Sequence, residues 1–195
     1  MFEMIITTIV SFIGTNIDDI LINTFFFTQA QTKKEIRLII IGKYIGIGTL
    51  VLISLTGALG LQFLPRQYIF LLGLIPISLG IKELIFNIKK PSSTNEYDKT
   101  SSSGTNKLIL TVIFLTLANG ADNIAVYIPL FSSYTIVQMI AVIIIFAFMT
   151  ALWCILGNKL SRLLFLQRIL LKYKHIIVPF VFIFLGVYIM LKGIF

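Results

Sequence analysis

Three of the chain's eight acidic residues lie inside long apolar runs of sequence. They are Asp18, Asp19 and Asp122, and the amide residues Asn16, Asn119 and Asn123 lie close to them. Carboxylate and amide oxygens are the ligands that hard divalent cations prefer. A cation held between the carboxylates would offset their mutual repulsion, and protons would replace it when it leaves. The residue types therefore predict a site that exchanges a divalent cation for protons.

Helical spacing arranges these groups in two stripes. Residues three and four apart share a helix face, so Asn16, Asp19 and Asn23 form one stripe, with Asp18 about 100° away. Asn119, Asp122 and Asn123 form the equivalent stripe in the second half of the chain. Any single asparagine fits equally well as a hydrogen-bonding contact between helices. A carboxylate in the middle of an apolar run costs about 2.5–3.5 kcal/mol in a bilayer, which favours a functional role for the acids.

Two prolines are candidates for hinges in the same kind of run. Pro129 cannot donate a hydrogen bond to the carbonyl of Ala125, and Pro76 likewise frees the carbonyl of Leu72. A freed carbonyl can bind an ion or permit bending, although a kink filled by neighbouring side chains explains each proline equally well. We keep both prolines as gating or coupling candidates.

Lys43 lies between Gly42 and Gly46, two turns inside an apolar run. The glycine pair predicts that another helix approaches closely at this point. The lysine could pair with an acid of the site, or its long side chain could extend to the membrane interface. Its depth favours the interface, and we retain Lys43 as a coupling candidate.

The elements that carry these residues belong in a membrane. With 57% hydrophobic and 12% charged residues, the chain is far from the composition of a soluble globular protein. A bilayer core about 30 Å thick requires about 20 apolar residues of helix, and the chain has six runs of about that length. They cover residues 4–28, 36–61, 68–88, 108–131, 134–156 and 176–194. The first run has no basic leader and is expected to be retained, and the single Cys154 excludes an internal disulfide.

Lys and Arg give the chain a net charge of +8 and concentrate in the first, third and fifth connections between runs. Because cytoplasmic loops retain these residues during insertion, we expect a multi-pass protein of the cytoplasmic membrane with both termini outside. The basic residues gather at the ends of apolar runs, which argues against a nucleic-acid partner.

Residues 91–106 divide the chain into halves of three runs each. This segment has too little apolar surface to offset the entropy of ordering it, so we expect a mobile cytoplasmic linker. An odd number of runs in each half makes the halves enter the membrane in opposite directions, as in an inverted repeat. The acidic motifs match at an offset of 104 positions. We therefore predict one all-α integral membrane transporter domain, 1–195, with six transmembrane helices as two inverted three-helix repeats, 1–90 and 107–195.

The chain resembles the cadmium resistance transporter family (CadD-type), a branch of the lysine exporter superfamily. The resemblance rests on TNIDDI at 15–20, GKYIG at 42–46, IPISLGIK at 75–82 and ANGADNIAVYIPLF at 118–131. It implies six spans in two inverted halves, efflux of Cd²⁺ and of Zn²⁺ or related ions, and metal ligands at Asp18, Asp19, Asp122 and Asn123. The family is expected to have glutamine at the position of Lys43, which leaves the preferred metal open. Because an oxygen-rich ligand set does not favour a soft ion, cadmium follows from the resemblance alone.

The predicted partners are the lipid bilayer and the transported metal ion. We expect no permanently bound cofactor, protons as the coupling ion, and no nucleic acid. A homodimer is compatible with the sequence but is not required by it.

Other functions remain as alternatives. Paired intramembrane aspartates also form the catalytic dyad of membrane aspartyl proteases, but that class has GxGD where residues 119–122 are NGAD. An exporter of another cation or of a small organic solute is a second alternative, in which Lys43 would have to bind the solute's carboxylate. A passive cation pore is the third, and its flux would follow membrane potential alone.

Overall fold

A computed structural model describes residues 1–61, 71–87, 105–163, 176 and 178–191. The regular structure in these ranges is helical, which confirms the all-α prediction. In chain order the helices are α1 (Phe2–Asn16), α2 (Asp19–Gln29), α3 (Lys33–Leu61), α4 (Leu74–Asn87), α5 (Thr105–Ala118), α6 (Ala121–Ser132), α7 (Ile136–Leu160) and α8 (Val178–Leu191).

Two of the predicted runs are broken into bent pairs of helices. α1 and α2 meet at 62°, and α5 and α6 meet at 63°, so runs 4–28 and 108–131 are not continuous helices as predicted. At the first break the indole nitrogen of Trp153 donates to the carbonyl of Asn16 at 2.7 Å, which takes that carbonyl out of the helical ladder. At the second break Gly120 separates the helices, and its N–H bonds to Leu117 three residues back.

The described helices account for part of the predicted membrane topology. α3 and α7 are each long and apolar enough to cross a membrane, and counting each bent pair as one span gives four. The described part of α4 has 14 residues and reaches about 21 Å, short of a bilayer core of about 30 Å. Six spans therefore stay a prediction.

The helices pack so that α3 lies against the broken pair α5–α6, and α7 lies against the broken pair α1–α2. α1 also contacts α6, and α3 also contacts α7. Aromatic residues fill the centre of this arrangement: Phe12, Tyr127, Phe131 and Phe146 are almost fully buried. Both helix breaks are thus held in place by elements from the other half of the chain.

Glycines set the close approach between α3 and α5. A Cβ on Gly42 would lie 3.0 Å from the side chain of Val112, and one on Gly46 would lie 2.7 Å from Thr116. The predicted close packing at this glycine pair is confirmed.

The outer surface of the bundle is apolar. Leu110, Phe114, Phe148 and Phe180 each expose more than 60% of their surface. An apolar surface of this extent is typical of a protein that is surrounded by lipid.

The predicted linker overlaps the start of α5. That helix begins at Thr105, so the end of the segment predicted at 91–106 is helical, contrary to prediction. The remainder, 91–104, lies outside the described residues.

Candidate functional site

The acidic residues lie at the two helix breaks. Asp19 is the first residue of α2, Asp122 lies in the first turn of α6, and Asp18 lies in the break before α2. Asp19 is buried, whereas Asp18 and Asp122 are partly buried. The partial positive charge at a helix N-terminus stabilises a carboxylate in its first turn, which helps to explain how acids persist at this depth. The side chain of Asp122 also accepts the N–H of Asn123 at 2.9 Å.

A hydrogen-bonded cluster joins the two breaks. The amide nitrogen of Asn16 donates to Asn123 Oδ1 at 3.3 Å and to the hydroxyl of Tyr127 at 2.8 Å. The Tyr127 hydroxyl is also 3.1 Å from Thr15 Oγ1. All four residues are buried. The structure therefore brings together amide residues from both predicted stripes.

Lys43 is inside the protein rather than at its surface. Its ammonium forms an ion pair with Asp19 Oδ1 and donates to Thr116 Oγ1 at 3.1 Å. Only 1% of Lys43 is exposed. The prediction that this side chain extends to the membrane interface is wrong, because α2 and α5 cover it and supply both of its acceptors. The pairing with an acid, which was the alternative, is confirmed.

The three aspartates act on one another without forming a compact cluster. The charges of Asp18 and Asp19 both interact with Asp122. Within the described ranges, no three His, Cys, Asp or Glu side chains converge closely enough to hold a metal ion. A cation site here would therefore have to include amide, hydroxyl or backbone oxygens.

The predicted stripe of Asn16, Asp19 and Asn23 is divided by the first helix break. Asn16 bonds to α6, Asp19 pairs with α3, and the Asn23 amide donates to the Trp153 carbonyl of α7 at 3.5 Å. The spacing assumed one continuous helix, but the 62° bend comes between Asn16 and Asp19, so that only Asp19 and Asn23 remain on one helix face.

The other candidates occupy more peripheral positions. Asn119 lies in the turn between α5 and α6 and is partly buried. Pro129 is inside α6, as a hinge residue requires. Pro76 is in the first turn of α4, where the missing N–H costs little. Their roles in binding or gating stay predictions.

Two residues of the site were not found from the sequence. Tyr127 is fully buried and contacts Asn16, and Trp153 binds the carbonyl at the first break. Tyr127 is four residues after Asn123, on the same helix face, and this spacing could have indicated it. Nothing in the sequence around Trp153 indicates which carbonyl it would reach.

Comparison with known protein families gives a match over most of the chain. The family model described as cadmium resistance transporter matches residues 12–194. No curated protein and no solved structure matches the chain significantly.

Proposed function

The chain belongs to the cadmium resistance transporter family, and on that premise we propose that it exports divalent heavy-metal cations across the cytoplasmic membrane in exchange for protons. The proposed substrates are Cd²⁺ and, by extension, Zn²⁺ or related ions. The observation that carries this proposal is the position of the acids at two helix breaks, joined by the bond between Asn16 and Asn123. Broken helices at membrane depth free backbone groups and are typical of ion-coupled transport sites.

The proposed ligands come from both breaks. Asp18, Asp19 and Asp122 supply carboxylates, and the surrounding amides supply neutral oxygens, Asn16 and Asn123 within the cluster and Asn119 at its edge. Because the charges of Asp18 and Asp19 act on Asp122 across the two breaks, a divalent cation would relieve the repulsion between these carboxylates. Protons would do the same on the return step, which couples the two fluxes.

The electrical work of moving the metal ion outward favours an exchange mechanism. Moving two positive charges outward against a negative-inside potential costs about 4.6 kcal/mol per 100 mV. A proton gradient is the simplest source of that energy. A passive pore would instead conduct metal inward, down the potential.

The contacts of the acids disfavour the alternatives. A solute carboxylate would need the Lys43 ammonium, which already pairs with Asp19. A protease dyad needs two carboxylates that share a proton, but Asp19 is paired with a lysine and Asp122 with a backbone N–H.

Metal transport in reconstituted vesicles tests the proposal. We expect Asp19→Asn and Asp122→Asn to abolish nearly all Cd²⁺ transport driven by a pH gradient, and Asp18→Asn to reduce it. Asp98→Asn, in the polar segment between the halves, is the matched control and should transport normally. Unaltered transport in both Asp19→Asn and Asp122→Asn would remove the proposed site. Flux that follows potential alone, whatever the pH gradient, would favour the passive pore.

A further inference from the structure

A second set of metal donors lies between α2 and α7. Asp19 and Asn23 are one helical turn apart on one face of α2, a helix that packs against α7. A Cβ on Gly157 would lie 3.2 Å from Asn23 Cβ, so the two helices are in direct contact here. Cys154 of α7 lies in the same contact: the Asn23 amide donates to the carbonyl of the preceding residue, Trp153, at 3.5 Å, and Cys154 packs in one buried cluster with apolar side chains of α2. The charge of Asp19 also acts on the thiol. A carboxylate, an amide and a thiol therefore meet at one place.

Two oxygens of this group have no hydrogen-bond partner among the described residues. They are Oδ2 of Asp19 and Oδ1 of Asn23, and the two residues are 3% and 1% exposed. Burying a polar atom without a partner is unfavourable, so two such atoms one turn apart are unusual in a packed interior. Both are acceptors, and acceptors of this kind bind a cation.

We propose that Asp19 Oδ2, Asn23 Oδ1 and Cys154 Sγ form a subsite that binds soft divalent metals. This inference rests on the proposed export function and specifies its substrate. Thiolate ligands select soft and borderline ions, whereas oxygen ligands alone suit Mg²⁺, Ca²⁺ and Mn²⁺. The sulfur of Cys154 is the donor that makes this subsite bind Cd²⁺ more tightly than Mn²⁺. On binding, the metal replaces the proton of the thiol.

The Lys43 ammonium lies beside the subsite and competes with a bound metal for Asp19. Its ammonium holds the other oxygen of Asp19, and its charge also acts on Cys154. A divalent ion bound at Asp19 would repel the ammonium, which has a second acceptor in Thr116 at 3.1 Å. The metal and the ammonium therefore compete for one carboxylate.

Binding of Cd²⁺ to the purified, detergent-solubilised full chain provides the test. The chain has one cysteine, so a cadmium–thiolate charge-transfer band in the ultraviolet can come only from Cys154. We expect the wild type to show this band and Cys154→Ser to lack it. Loss of the sulfur should weaken Cd²⁺ binding by at least about tenfold, with a smaller effect on Mn²⁺.

Thr150→Val is the matched control, since Thr150 is buried one turn before Cys154 and its hydroxyl donates to the Phe146 carbonyl at 2.8 Å. It should leave the band and the ratio of Cd²⁺ to Mn²⁺ affinity unchanged. A second variant, Asn23→Leu, should keep the thiol yet weaken Cd²⁺ binding. Absence of the band in the wild type, or equal Cd²⁺ affinity in the wild type and Cys154→Ser, would overturn the subsite.

The outcomes separate the subsite from the export function. If Cys154→Ser vesicles transport Cd²⁺ with the wild-type preference among metals, export stands and the subsite is overturned. If the wild type shows the band but its vesicles move no metal, the subsite is supported and the export function is overturned.

Discussion

The buried ion pair between Lys43 and Asp19 determines the effect of changing either residue. A buried charge that loses its partner destabilises a protein by about 3–5 kcal/mol. For Lys43→Gln we therefore expect the free energy of unfolding to fall by about that amount in the absence of metal. Thermal unfolding of the purified protein in detergent measures the change.

The control is the double variant Lys43→Gln/Asp19→Asn, which removes both charges. Because no unpaired charge remains, it should regain most of the stability that the single variant loses. Equal losses in the single and double variants would contradict a stabilising interaction between the two charges.

For individual residues, the sequence indicates which side chains belong to the site better than it indicates what they contact. Three carboxylates inside apolar runs stand out from composition alone, and Asp19 and Asp122 do lie at the helix breaks. The depth of Lys43, counted along a single helix, favoured the interface. Its actual partners come from α2 and α5, whose positions follow from tertiary packing rather than from local spacing.

Among the elements, the contact between α3 and α5 depends on glycine. A Cβ at position 46 would lie 2.7 Å from Thr116, so Gly46→Ala forces the helices apart or displaces the threonine. Since Thr116 also accepts a hydrogen bond from Lys43, the site would move with it. We expect Gly46→Ala to destabilise the protein by about 1–3 kcal/mol, measured by thermal unfolding, and to reduce metal transport.

Gly48→Ala is the control on the same helix. A Cβ there meets nothing within 4 Å, and alanine is the better helix former, so stability should be unchanged or higher. Equal destabilisation by both substitutions would show that loss of glycine flexibility matters, rather than the contact with α5.

The two helix breaks show which features of the helices the sequence could not predict. Residues 108–131 contain Gly120, a recognisable weak point, but residues 15–19 contain neither glycine nor proline. The first break instead depends on Trp153, 137 positions from Asn16, which bonds to the freed carbonyl. Long-range contacts of this kind leave no local signal, so the sequence predicted one continuous helix there.

For the whole molecule, the packing of the described helices supports an inverted repeat. α3 of the first half packs against the broken pair α5–α6 of the second half. In the same way, α7 of the second half packs against the broken pair α1–α2 of the first. α4 and α8 also run antiparallel in close contact, since a Cβ on Gly80 would lie 2.8 Å from the Pro179 carbonyl and one on Gly186 would lie 2.9 Å from the Ile77 nitrogen. Reciprocal exchange of this kind is expected of two halves related by a twofold axis in the membrane plane.

The division into halves follows from counting apolar runs and locating one polar segment, and it stays a prediction. The sequence could not predict that each half holds the other's broken helices, since that depends on the shapes of side chains such as Trp153 and Leu50. Leu50 packs against Gly120, where any larger residue would collide with it.

Orientation in the membrane gives the last prediction. The predicted topology places three spans between the N-terminus and the polar segment between the halves, so these two regions should lie on opposite sides. In a Cys154→Ser background, we expect Glu3→Cys to react with a membrane-impermeant maleimide in intact cells. Ser102→Cys should react only after the membrane is permeabilised, because Lys and Arg retain its flanks in the cytoplasm.

The other labelling patterns distinguish two errors. If Ser102→Cys reacts in intact cells and Glu3→Cys does not, the orientation is reversed but the halves still cross the membrane an odd number of times. If both cysteines react from the same side, an even number of spans precedes the polar segment. The halves would then enter the membrane in the same direction, and the predicted inverted repeat would be wrong.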